Sequence, residues 1–576
     1  MKKMIPVIIA VVLILIIGAV AFGGGLIEKY SYGKEYADLD DYYGLENGAV
    51  GDADGELAIV LQDEVIEERA AVIGGRVYFD YDVVRAYFND GFYADRNEQK
   101  LLYTSATDTV QAVFGAQAYS DRDGEHPLDH AACLLQGDKL YLAADYVKMF
   151  ANFSYEKFDR HLQVYTEWGI RKTSEISKKT MLRIQGGIKS PILRELEAGE
   201  RVELLEEMGT WSKVKTSDAM IGYVENKRLA NVDTEVEEPV TDWVPEEYTR
   251  VMLEGKVNLG WHAIYKTAGN DSLDTVVAEG KGLNVIAPTW FSLKDGEGTV
   301  ESFASAKYVE RAHGYGLKVW GVWDDFNYSA NNGVPAVDTL ALLSSTTKRQ
   351  EFAQNIVATA VGLGLDGINL DFERLTEETR VHFTQFLREM SVLCRQNGLT
   401  LSVDISVPLN SNNAMRLDVQ GLVADYVIMM GYDEHWGGCR NPGSVASISF
   451  VSDGLDRVLE HVPAAQVINA LPFYTREWKT EGETVTDVAI PICNLKAYLE
   501  HLDRDDEVIW DENVCQHYLE WQSESATYQI WLEDADSLRE KLNVMNARKI
   551  GGVAVWRLGY GTKEAWELVA AYAALK

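Results

Sequence analysis

The stretch that most constrains this chain runs from position 365 to 375 and reads Leu-Asp-Gly-Ile-Asn-Leu-Asp-Phe-Glu-Arg-Leu. Side chains alternate across a β-strand, so the pattern predicts a strand with one polar and one apolar face. The polar face carries Gly367, Asn369, Asp371 and Glu373, and the apolar face carries Ile368, Leu370 and Phe372. Burying a carboxylate is costly unless it is paired or neutralised, and two adjacent acids raise the pKa of one of them. The strand therefore predicts a site that keeps one acid protonated.

Glycoside hydrolysis is the chemistry that this pair of acids suits. One carboxylic acid must stay protonated to protonate the leaving oxygen, while a second stays ionised beside developing positive charge. Glu373 is the last residue of the polar face and is the candidate general acid. Asp371 lies on the same face as Glu373, so it is not a nucleophile across the sugar ring, and the nucleophile must come from elsewhere. The alternative is a buried strand whose acidic edge is incidental.

Four residues of this stretch, Asp366, Asn369, Asp371 and Glu373, resemble the Asp-x-x-Asp-x-Asp-x-Glu signature of family 18 glycoside hydrolases. The resemblance implies that the nucleophile is the substrate's own 2-acetamido carbonyl. Asn369 stands where chitinase-type members carry an acid. Its amide can donate to Asp371 but cannot share a proton with it, so the pH profile of chitinases does not carry over. The Asp-Gly-x-Asn-x-Asp-Phe-Glu form is closer to the branch found in peptidoglycan N-acetylglucosaminidases of spore-forming bacteria.

Residues 248–576 alternate apolar strands with amphipathic helices, a pattern typical of a parallel α/β fold. The strands are predicted at 257–261, 285–290, 318–323, 367–373, 401–407, 426–432, 467–472 and 552–556. Eight parallel strands in about 330 residues are what a (β/α)8 TIM barrel requires, with its active site at the carboxyl ends of the strands. Aromatic residues gather at these ends. Sugar rings have apolar faces that stack on such side chains, so the predicted mouth suits a glycan.

The family resemblance extends over residues 257–561 and implies roles for further residues. It implies that Tyr432 hydrogen-bonds the acetamido oxygen, that Asp433 faces the sugar and that Trp556 lies under the reactive ring. The predicted catalytic residues are therefore Glu373, Asp371 and Tyr432. The predicted substrate-binding residues are Asp366, Asn369, Asp433, Trp290, Trp323, Trp436, Tyr474 and Trp556.

Two alternatives to a peptidoglycan hydrolase stay open. Chitin and peptidoglycan share the N-acetylglucosamine that this mechanism needs, so the acidic strand cannot choose between them. A catalytically silent, lectin-like barrel would bind a glycan without cleaving it, but such barrels usually lose the terminal Glu, and Glu373 is present. The barrel segment has no Gly-x-Ser-x-Gly elbow and no Gly-x-x-x-x-Gly-Lys loop, which argues against serine hydrolase and nucleotide chemistry.

Two small modules are predicted before the barrel. Residues 30–168 mix short strands and helices and resemble the non-catalytic α+β module at the N-terminus of copper amine oxidases, without the copper-binding residues. Residues 169–232 contain short strands separated by turns and resemble a bacterial SH3-like β-barrel. Such modules often bind cell-wall peptides, and an inert spacer is the alternative. Residues 233–247 are acidic, contain proline and are predicted to be a linker.

The N-terminal segment, residues 1–29, predicts either a membrane anchor or a signal peptide. Its apolar run from residue 5 to residue 22 is long enough to cross a membrane as a transmembrane helix. Lys2 and Lys3 would stay in the cytoplasm, so the catalytic domain would lie outside the cell membrane. The alternative is cleavage near Ala19-Val20-Ala21 and secretion to the cell wall. The rest of the chain is exported in both cases.

The composition excludes several partners. A formal charge of −35 argues against nucleic acid and leaves a neutral or zwitterionic glycan as the acceptable partner. The five cysteines are scattered, and no pair has the close spacing of a zinc site. We therefore expect no structural metal and no cofactor. We also expect a monomer that acts on peptidoglycan or a chitin-type glycan.

Overall fold

Eight parallel strands close into a barrel in the C-terminal part of the chain, as a computed structural model shows. The structure describes residues 31–49, 53–239, 241, 243–326, 337–409, 415–502, 507–523 and 525–575, together with Val12 and Lys29. The chain folds as two units. The first comprises the residues up to Tyr93, Ala112–Ser120 and Gly124–Pro245. The second comprises Ala94–Gln111, Asp121–Asp123 and Glu246–Lys576.

The barrel strands follow the predicted order with small changes at their ends. They are β1 (Val257–His262), β2 (Val285–Leu293), β3 (Lys318–Asp324), β4 (Gly367–Asp371), β5 (Thr400–Ser406), β6 (Tyr426–Met430), β7 (Val467–Pro472) and β8 (Gly552–Trp556). Each strand pairs in parallel with the next, and β8 pairs with β1, so the sheet is closed. The prediction of a (β/α)8 barrel is confirmed.

Helices connect the strands. They are α1 (Leu273–Glu279), α2 (Ala306–Gly314), α3 (Thr346–Leu363), α4 (Glu377–Gln396), α5 (Leu417–Val423), α6 (Ile448–Leu459), α7 (Ala535–Ala547) and α8 (Lys563–Ala573), and a short helix at Thr339–Leu343 precedes α3. The Ser345 side chain caps α3 by accepting from the backbone N–H of Lys348. The helix ends at Gly364, whose φ of 73° is a left-handed conformation that favours glycine. This turn leads the chain into β4.

Alternation along the strands divides the barrel core into two layers. The inner layer fills the barrel with Val257, Leu259, Trp261, Val285, Ala287, Trp320, Val322, Tyr426, Ile428, Ile468, Ala470 and Ala554. The outer layer joins the strands to the helices and includes Ile368, Leu370 and Phe372. The apolar face of the acidic strand therefore packs against the helices, and its polar face points into the barrel.

A five-stranded antiparallel sheet lies between β7 and α7, and the sequence analysis did not predict it. Its strands, in sheet order, are Thr484–Pro491, Tyr474–Glu481, Ala526–Leu532, Gln516–Ser523 and Ile509–Asp511, and the helix Ile492–Leu502 follows the first of them. Its core is Ile490, Leu495, Leu519, Trp521, Ile530 and Leu532. Because the sheet follows β7 directly, it begins at the carboxyl end of the barrel.

The first unit contains a sheet from the segment predicted as an α+β module, whereas Ala94–Gln111 and Asp121–Asp123 of that segment belong to the second unit. A seven-stranded sheet has the order Ser154–Lys157, His161–Tyr165, Gly55–Leu61, Glu64–Ile73, Arg76–Asp80, Lys139–Ala143 and Cys133–Gln136. Two of its strands each lead into a short helix. Arg76–Asp80 leads into the helical turns Tyr81–Val83 and Val84–Phe88, and Lys139–Ala143 leads into the helix Ala144–Val147.

A second seven-stranded sheet in the same unit contains the strands predicted for the SH3-like module. Its order is Ile192–Leu196, Thr180–Arg183, Ile221–Glu225, Trp211–Thr216, Arg201–Met208, Ile170–Ile176 and Leu229–Val236, all antiparallel. The last strand extends into the segment predicted as a linker from residue 233. This difference arises because the polar run 233–236 pairs with the strand Ile170–Ile176.

The predicted membrane span at residues 5–22 lies outside the described residues, apart from Val12. Within the described part of the chain, no helix is long and apolar enough to cross a membrane.

Candidate active site

A cleft of about 680 Å³ lies at the carboxyl ends of the barrel strands. Its acidic side chains are Asp324, Asp371, Glu373, Asp404, Asp433 and Glu434. Its aromatic side chains are Trp261, Tyr265, Phe326, Tyr432, Trp436, Phe450 and Trp556. No lysine or arginine belongs to the described lining. The cleft therefore favours a neutral or cationic group that offers an apolar ring face.

Three carboxylates form a row across neighbouring strands at the floor of this cleft. Asp324 of β3 is in register with Asp371 of β4. Leu370 of β4 is in register with Val403 of β5, so Asp371 and Asp404, one residue further on, lie side by side. Adjacent strands are only about 4.8 Å apart, so these carboxylates cannot all be ionised without strong repulsion.

Asp371 holds the centre of this row. Burial raises its pKa well above the usual range, and the charges of Asp404, Glu373, Asp324 and Asp325 raise it further. Its Oδ1 is buried and has no hydrogen-bond partner among the described residues. Asp371 is therefore poised to accept a hydrogen bond from a bound group.

Glu373 follows the end of β4 and is exposed to the cleft. The backbone N–H groups of Glu373 and Arg374 each donate to the buried Asp325 carboxylate at 3.0 Å, which fixes this turn. Desolvation within the cleft raises the pKa of Glu373 to about 7, helped by the charges of Asp325 and Asp433. A hydrogen bond with Asp371 and the charge of Arg374 oppose this rise. Glu373 can thus be protonated near neutral pH and reach a ligand.

Asn369 lies below the row, and its contacts differ from the expectation. Its Nδ2 donates to Asp404 Oδ1 at 2.7 Å and to Ser402 Oγ at 3.1 Å, and its Oδ1 accepts from Trp261 Nε1 at 3.0 Å. The expected donation to Asp371 is therefore wrong, because the side chain turns toward β5. Asn369 is fully buried and lies outside the described cleft lining, so the prediction of substrate contact is corrected too.

The turn after β6 brings Tyr432 and Asp433 into the cleft. Burial raises the pKa of Tyr432 well above its usual range, so the phenol stays protonated and can donate. The Tyr474 hydroxyl donates to Asp433 Oδ1, and Arg476 lies 3.9 Å from the same carboxylate. Tyr474 itself is buried and lies behind Asp433, outside the described lining, so its predicted contact with the substrate becomes an indirect one.

Two predicted glycan-binding tryptophans belong to the outer layer of the barrel. Trp290 is fully buried, donates from Nε1 to Asn270 Oδ1 at 2.9 Å and packs against Tyr308. Trp323 is buried and stacks on Phe291 with ring centroids 4.1 Å apart. Both predictions are wrong because alternate residues of a strand face opposite sides, and these two face the helices.

Asp366 lies at the other end of the barrel from the cleft, and its predicted substrate contact is wrong. It precedes β4 and accepts from Lys318 Nζ at 2.8 Å, from the backbone N–H of Val319 at 2.9 Å and from His313 at 2.7 Å. Partial burial would raise its pKa, but these partners hold the pKa below its usual range. Asp366 therefore joins the amino ends of β3 and β4 as a structural anion.

The cleft also contains residues that sequence reasoning missed. Trp261 and Asp404 lie inside predicted strands, and Asp324 follows the third one, yet none of them was among the predicted site residues. The alternation of side chains along each strand could have identified Trp261 and Asp324 as residues that face the barrel interior. Trp261 is two residues after Leu259, which faces the barrel interior, and Asp324 is two residues after Val322.

One group of metal-ligand types occurs elsewhere among the described residues. His517, Asp534 and Asp536 have ligand atoms within 4.8 Å of one another. His517 Nδ1 already pairs with Asp534 at 2.6 Å, Asp534 also caps α7, and Asp536 pairs with Arg539. All three side chains are therefore used by contacts within the protein.

Comparison with known proteins finds a family match that includes barrel strands β4 to β8. Residues 333–561 match the family model described as glycosyl hydrolases family 18. The chain carries a family 18 glycosyl hydrolase domain. A second model, the bacterial SH3 domain, matches residues 180–230. The resemblance of residues 30–168 to the copper amine oxidase module stays a prediction.

Relatives of the family 18 domain are distant in sequence. The cortical fragment-lytic enzyme of Bacillus anthracis is 25% identical over 246 residues, which are 42% of this chain and 57% of that protein. The chain thus spans little more than half the length of this relative. The "Uncharacterized glycosylase YvbX" of Bacillus subtilis (strain 168) is 24% identical over 319 residues, 53% of this chain and 89% of that protein. The crystal structure of the Bacillus cereus spore cortex-lytic enzyme SleL has 19% identity and a TM-score of 0.49, covering 69% of this chain and 98% of that chain.

Proposed function

We propose that the family 18 domain hydrolyses β-1,4 glycosidic bonds next to N-acetylglucosamine, with retention of configuration and with the substrate's acetamido group as nucleophile. The observation that carries the proposal is the pairing of two neighbouring acids at one strand end. Glu373 reaches into the cleft and has a pKa near neutral, while Asp371 below it has an unpartnered buried oxygen. This arrangement supplies one acid for proton transfer and one acceptor for an amide N–H.

The first step breaks the bond between C1 and the leaving oxygen. Glu373 gives its proton to that oxygen while the acetamido carbonyl oxygen forms a bond to C1, which produces an oxazolinium ion and an ionised Glu373. Asp371 accepts the acetamido N–H, and the Tyr432 hydroxyl donates to the acetamido oxygen. In the second step Glu373 takes a proton from water, and the water oxygen attacks C1 and reopens the ring. The acetamido oxygen attacks C1 from the face opposite the leaving oxygen, and the water attacks from the face that the leaving oxygen occupied, so two inversions retain the configuration.

Peptidoglycan is the substrate that we propose, with chitin as the second candidate. Two features support peptidoglycan: cortex-lytic enzymes are among the relatives of the domain, and a bacterial SH3 domain precedes it in the chain. Relatives with chitinase names favour chitin, for example the endochitinase of Metarhizium robertsii. The absence of cations from the described cleft lining fits N-acetylglucosamine, which is common to both polymers.

One digestion separates these candidates. The protein is incubated with purified peptidoglycan and, in parallel, with chitin oligomers, and the new reducing ends are identified by mass spectrometry. New N-acetylglucosamine ends from peptidoglycan are the expected result. Cleavage of chitin alone would make the protein a chitinase, and binding of both polymers without new ends would make the barrel a lectin.

We also propose that the catalytic domain lies outside the cell membrane, held by the apolar segment at residues 5–22. The support is the sequence of this segment, whose length matches a membrane span and whose flanking lysines favour a cytoplasmic N-terminus.

A further inference from the structure

Asp404 is one of two acids of the cleft floor, with Asp324, for which the proposed reaction has no role. It lies on β5 beside Asp371, and both residues are on the inner face of the barrel. Its Oδ1 accepts from Asn369 Nδ2 at 2.7 Å. Its Oδ2 is buried and has no hydrogen-bond partner among the described residues. Asp404 thus has one satisfied oxygen and one free oxygen next to its neighbour.

Asp371 offers the matching free oxygen. Its Oδ1 is likewise buried and without a partner in the described part of the chain. Asp324, on the other side of Asp371, is not comparable. Its Oδ1 accepts from the backbone N–H of Phe326 at 3.0 Å, and its Oδ2 accepts from Ser292 Oγ at 3.1 Å. Two orphaned carboxylate oxygens on adjacent strands are both satisfied if one proton lies between them.

We propose that Asp404 is a positioning residue that shares one proton with Asp371 and, by donating to it, keeps Asp371 ionised when the substrate binds. The proposal rests on the proposed acetamido-assisted function. The step involves only a proton. In the free enzyme the proton lies between the two carboxyls. When the acetamido N–H reaches Asp371, the proton remains on Asp404 Oδ2, and Asp371 carries the negative charge that faces the oxazolinium ion.

The charges around Asp404 agree with this role. Asp371 ends β4 and Glu373 follows it, Asp324 ends β3 and Asp325 follows it, and the turn after β6 carries Tyr432 and Asp433. Three cations of this region lower the pKa of other acids: Arg374 acts on Glu373, Lys294 on Asp324 and Arg476 on Asp433. Burial raises the pKa of Asp404 well above its usual range, and the hydrogen bond from Asn369 opposes the rise only in part. A protonated Asp404 fits this surrounding.

The hydrogen bond between positions 369 and 404 allows the amide donor and the acid acceptor to be exchanged between the two strands. In the native chain an amide on β4 donates to an acid on β5. In the double variant Asn369→Asp/Asp404→Asn, an amide on β5 donates to an acid on β4, and the hydrogen bond is kept. The acid at position 369 would then stand on the same strand and the same face as Asp371. If proton sharing is what matters at position 404, this exchange should restore it.

The test measures the acid limb of kcat, which reports the ionisation of Asp371 in the enzyme–substrate complex. The substrate is a chitooligosaccharide with a fluorogenic leaving group. Asp404→Ala removes the donor to Asp371 and should move the acid limb to higher pH by about one unit, with kcat lower by up to about 100-fold and little change in KM. Asp404→Asn keeps a weaker donor and should shift the limb less. The exchanged double variant should return the limb toward that of the native protein.

The direction of the shift decides the proposal. If Asp404 acted only as a negative charge, its removal would lower the pKa of Asp371 and move the acid limb to lower pH. If Asp404 were merely structural, the variants would lose thermal stability with an unmoved limb. Either result overturns the proposal, as does a double variant that behaves like Asp404→Asn.

A matched control comes from the opposite end of the barrel. Asp425 is also buried, and it accepts from the backbone N–H groups of Val251 and Leu401 at 2.8 Å. Asp425→Asn should lower the melting temperature and leave the acid limb in place. Because Asp404→Asn and the double variant keep the side-chain shape, they remain informative if Asp404→Ala does not fold. A native protein that cleaves no N-acetylglucosamine glycan would refute the proposed function, whereas an unmoved limb in an active enzyme refutes only the role of Asp404.

Discussion

At the scale of single residues, Glu373 carries the proton that the proposed reaction needs. Glu373→Gln keeps the shape but cannot supply a proton, and general acid catalysis is typically worth about 10²–10⁴-fold. We expect hydrolysis to fall by at least this factor. The melting temperature at pH 8 should not fall, because Glu373 is ionised at this pH in the native protein and its surroundings disfavour the charged form. Turnover close to that of the native protein, with unchanged stability, would remove Glu373 from the mechanism.

Asp324 gives a prediction on stability and pH. It is buried, and burial raises its pKa from 3.8 to about 7, opposed by the Phe326 N–H and Ser292. A raised carboxyl pKa stabilises the folded state at low pH, and this contribution is lost as the pH rises through about 7. Asp324→Asn has no such loss. The free energy of unfolding of the variant, relative to that of the native protein, should therefore rise between pH 4 and pH 8 by up to about 4 kcal/mol.

Thermal or urea unfolding of the two proteins across this pH range checks the prediction for Asp324. A constant difference between them at all pH values would mean that the Asp324 carboxyl titrates normally in the folded protein.

At the scale of the elements, the sequence predicted the positions and faces of the strands but did not predict the contacts that depend on the register between strands. Apolar runs of strand length separated by helical patterns identified all eight barrel strands. The two faces of β4 followed from alternation, and the outer-layer positions of Ile368 and Leu370 agree with it. The hydrogen bond from Asn369 to Asp404 could not be predicted, because the sequence of neither strand determines the register between β4 and β5.

The wrong tryptophans and the missed sheet have separate causes. Trp290 and Trp323 were chosen because they stand at strand ends, although their alternation places them outside the barrel. The five-stranded sheet was not predicted because its strands are partly exposed and mix polar with apolar residues. The strand Thr484–Pro491, for example, buries little beyond Ile490.

The division between inner and outer tryptophans is testable with a matched pair. Trp556 lines the cleft, whereas Trp290 is fully buried against the helices. Trp290→Ala should destabilise the fold by about 3–5 kcal/mol without changing the KM of the protein that remains folded. Trp556→Ala should raise KM for oligosaccharides about 10-fold, equivalent to about 1.4 kcal/mol, with a smaller loss of stability. Melting curves and Michaelis–Menten kinetics separate the two effects, and the reverse pattern would contradict the assignment.

At the scale of the whole molecule, the N-terminal segment decides where the enzyme works. An uncleaved span at residues 5–22 should keep the full-length protein in the membrane fraction through high-salt and alkaline washing, because about 20 apolar residues insert stably. Peptide mapping should recover the first residues of the chain. Release of a mature chain that begins near Phe22 would instead establish a cleaved signal peptide.

The central claim, that the acetamido group of the substrate is the nucleophile, is tested most directly with a thiazoline analogue of N-acetylglucosamine. The analogue resembles the oxazolinium ion in shape and partial charge, and an enzyme binds such a mimic far more tightly than the parent sugar. We expect its inhibition constant to lie well below that of N-acetylglucosamine, and Asp371→Asn to weaken the analogue and turnover together while glycan binding, measured by calorimetry, persists. An analogue that binds no better than N-acetylglucosamine, or an Asp371→Asn variant that loses turnover but keeps full affinity for the analogue, would contradict the mechanism.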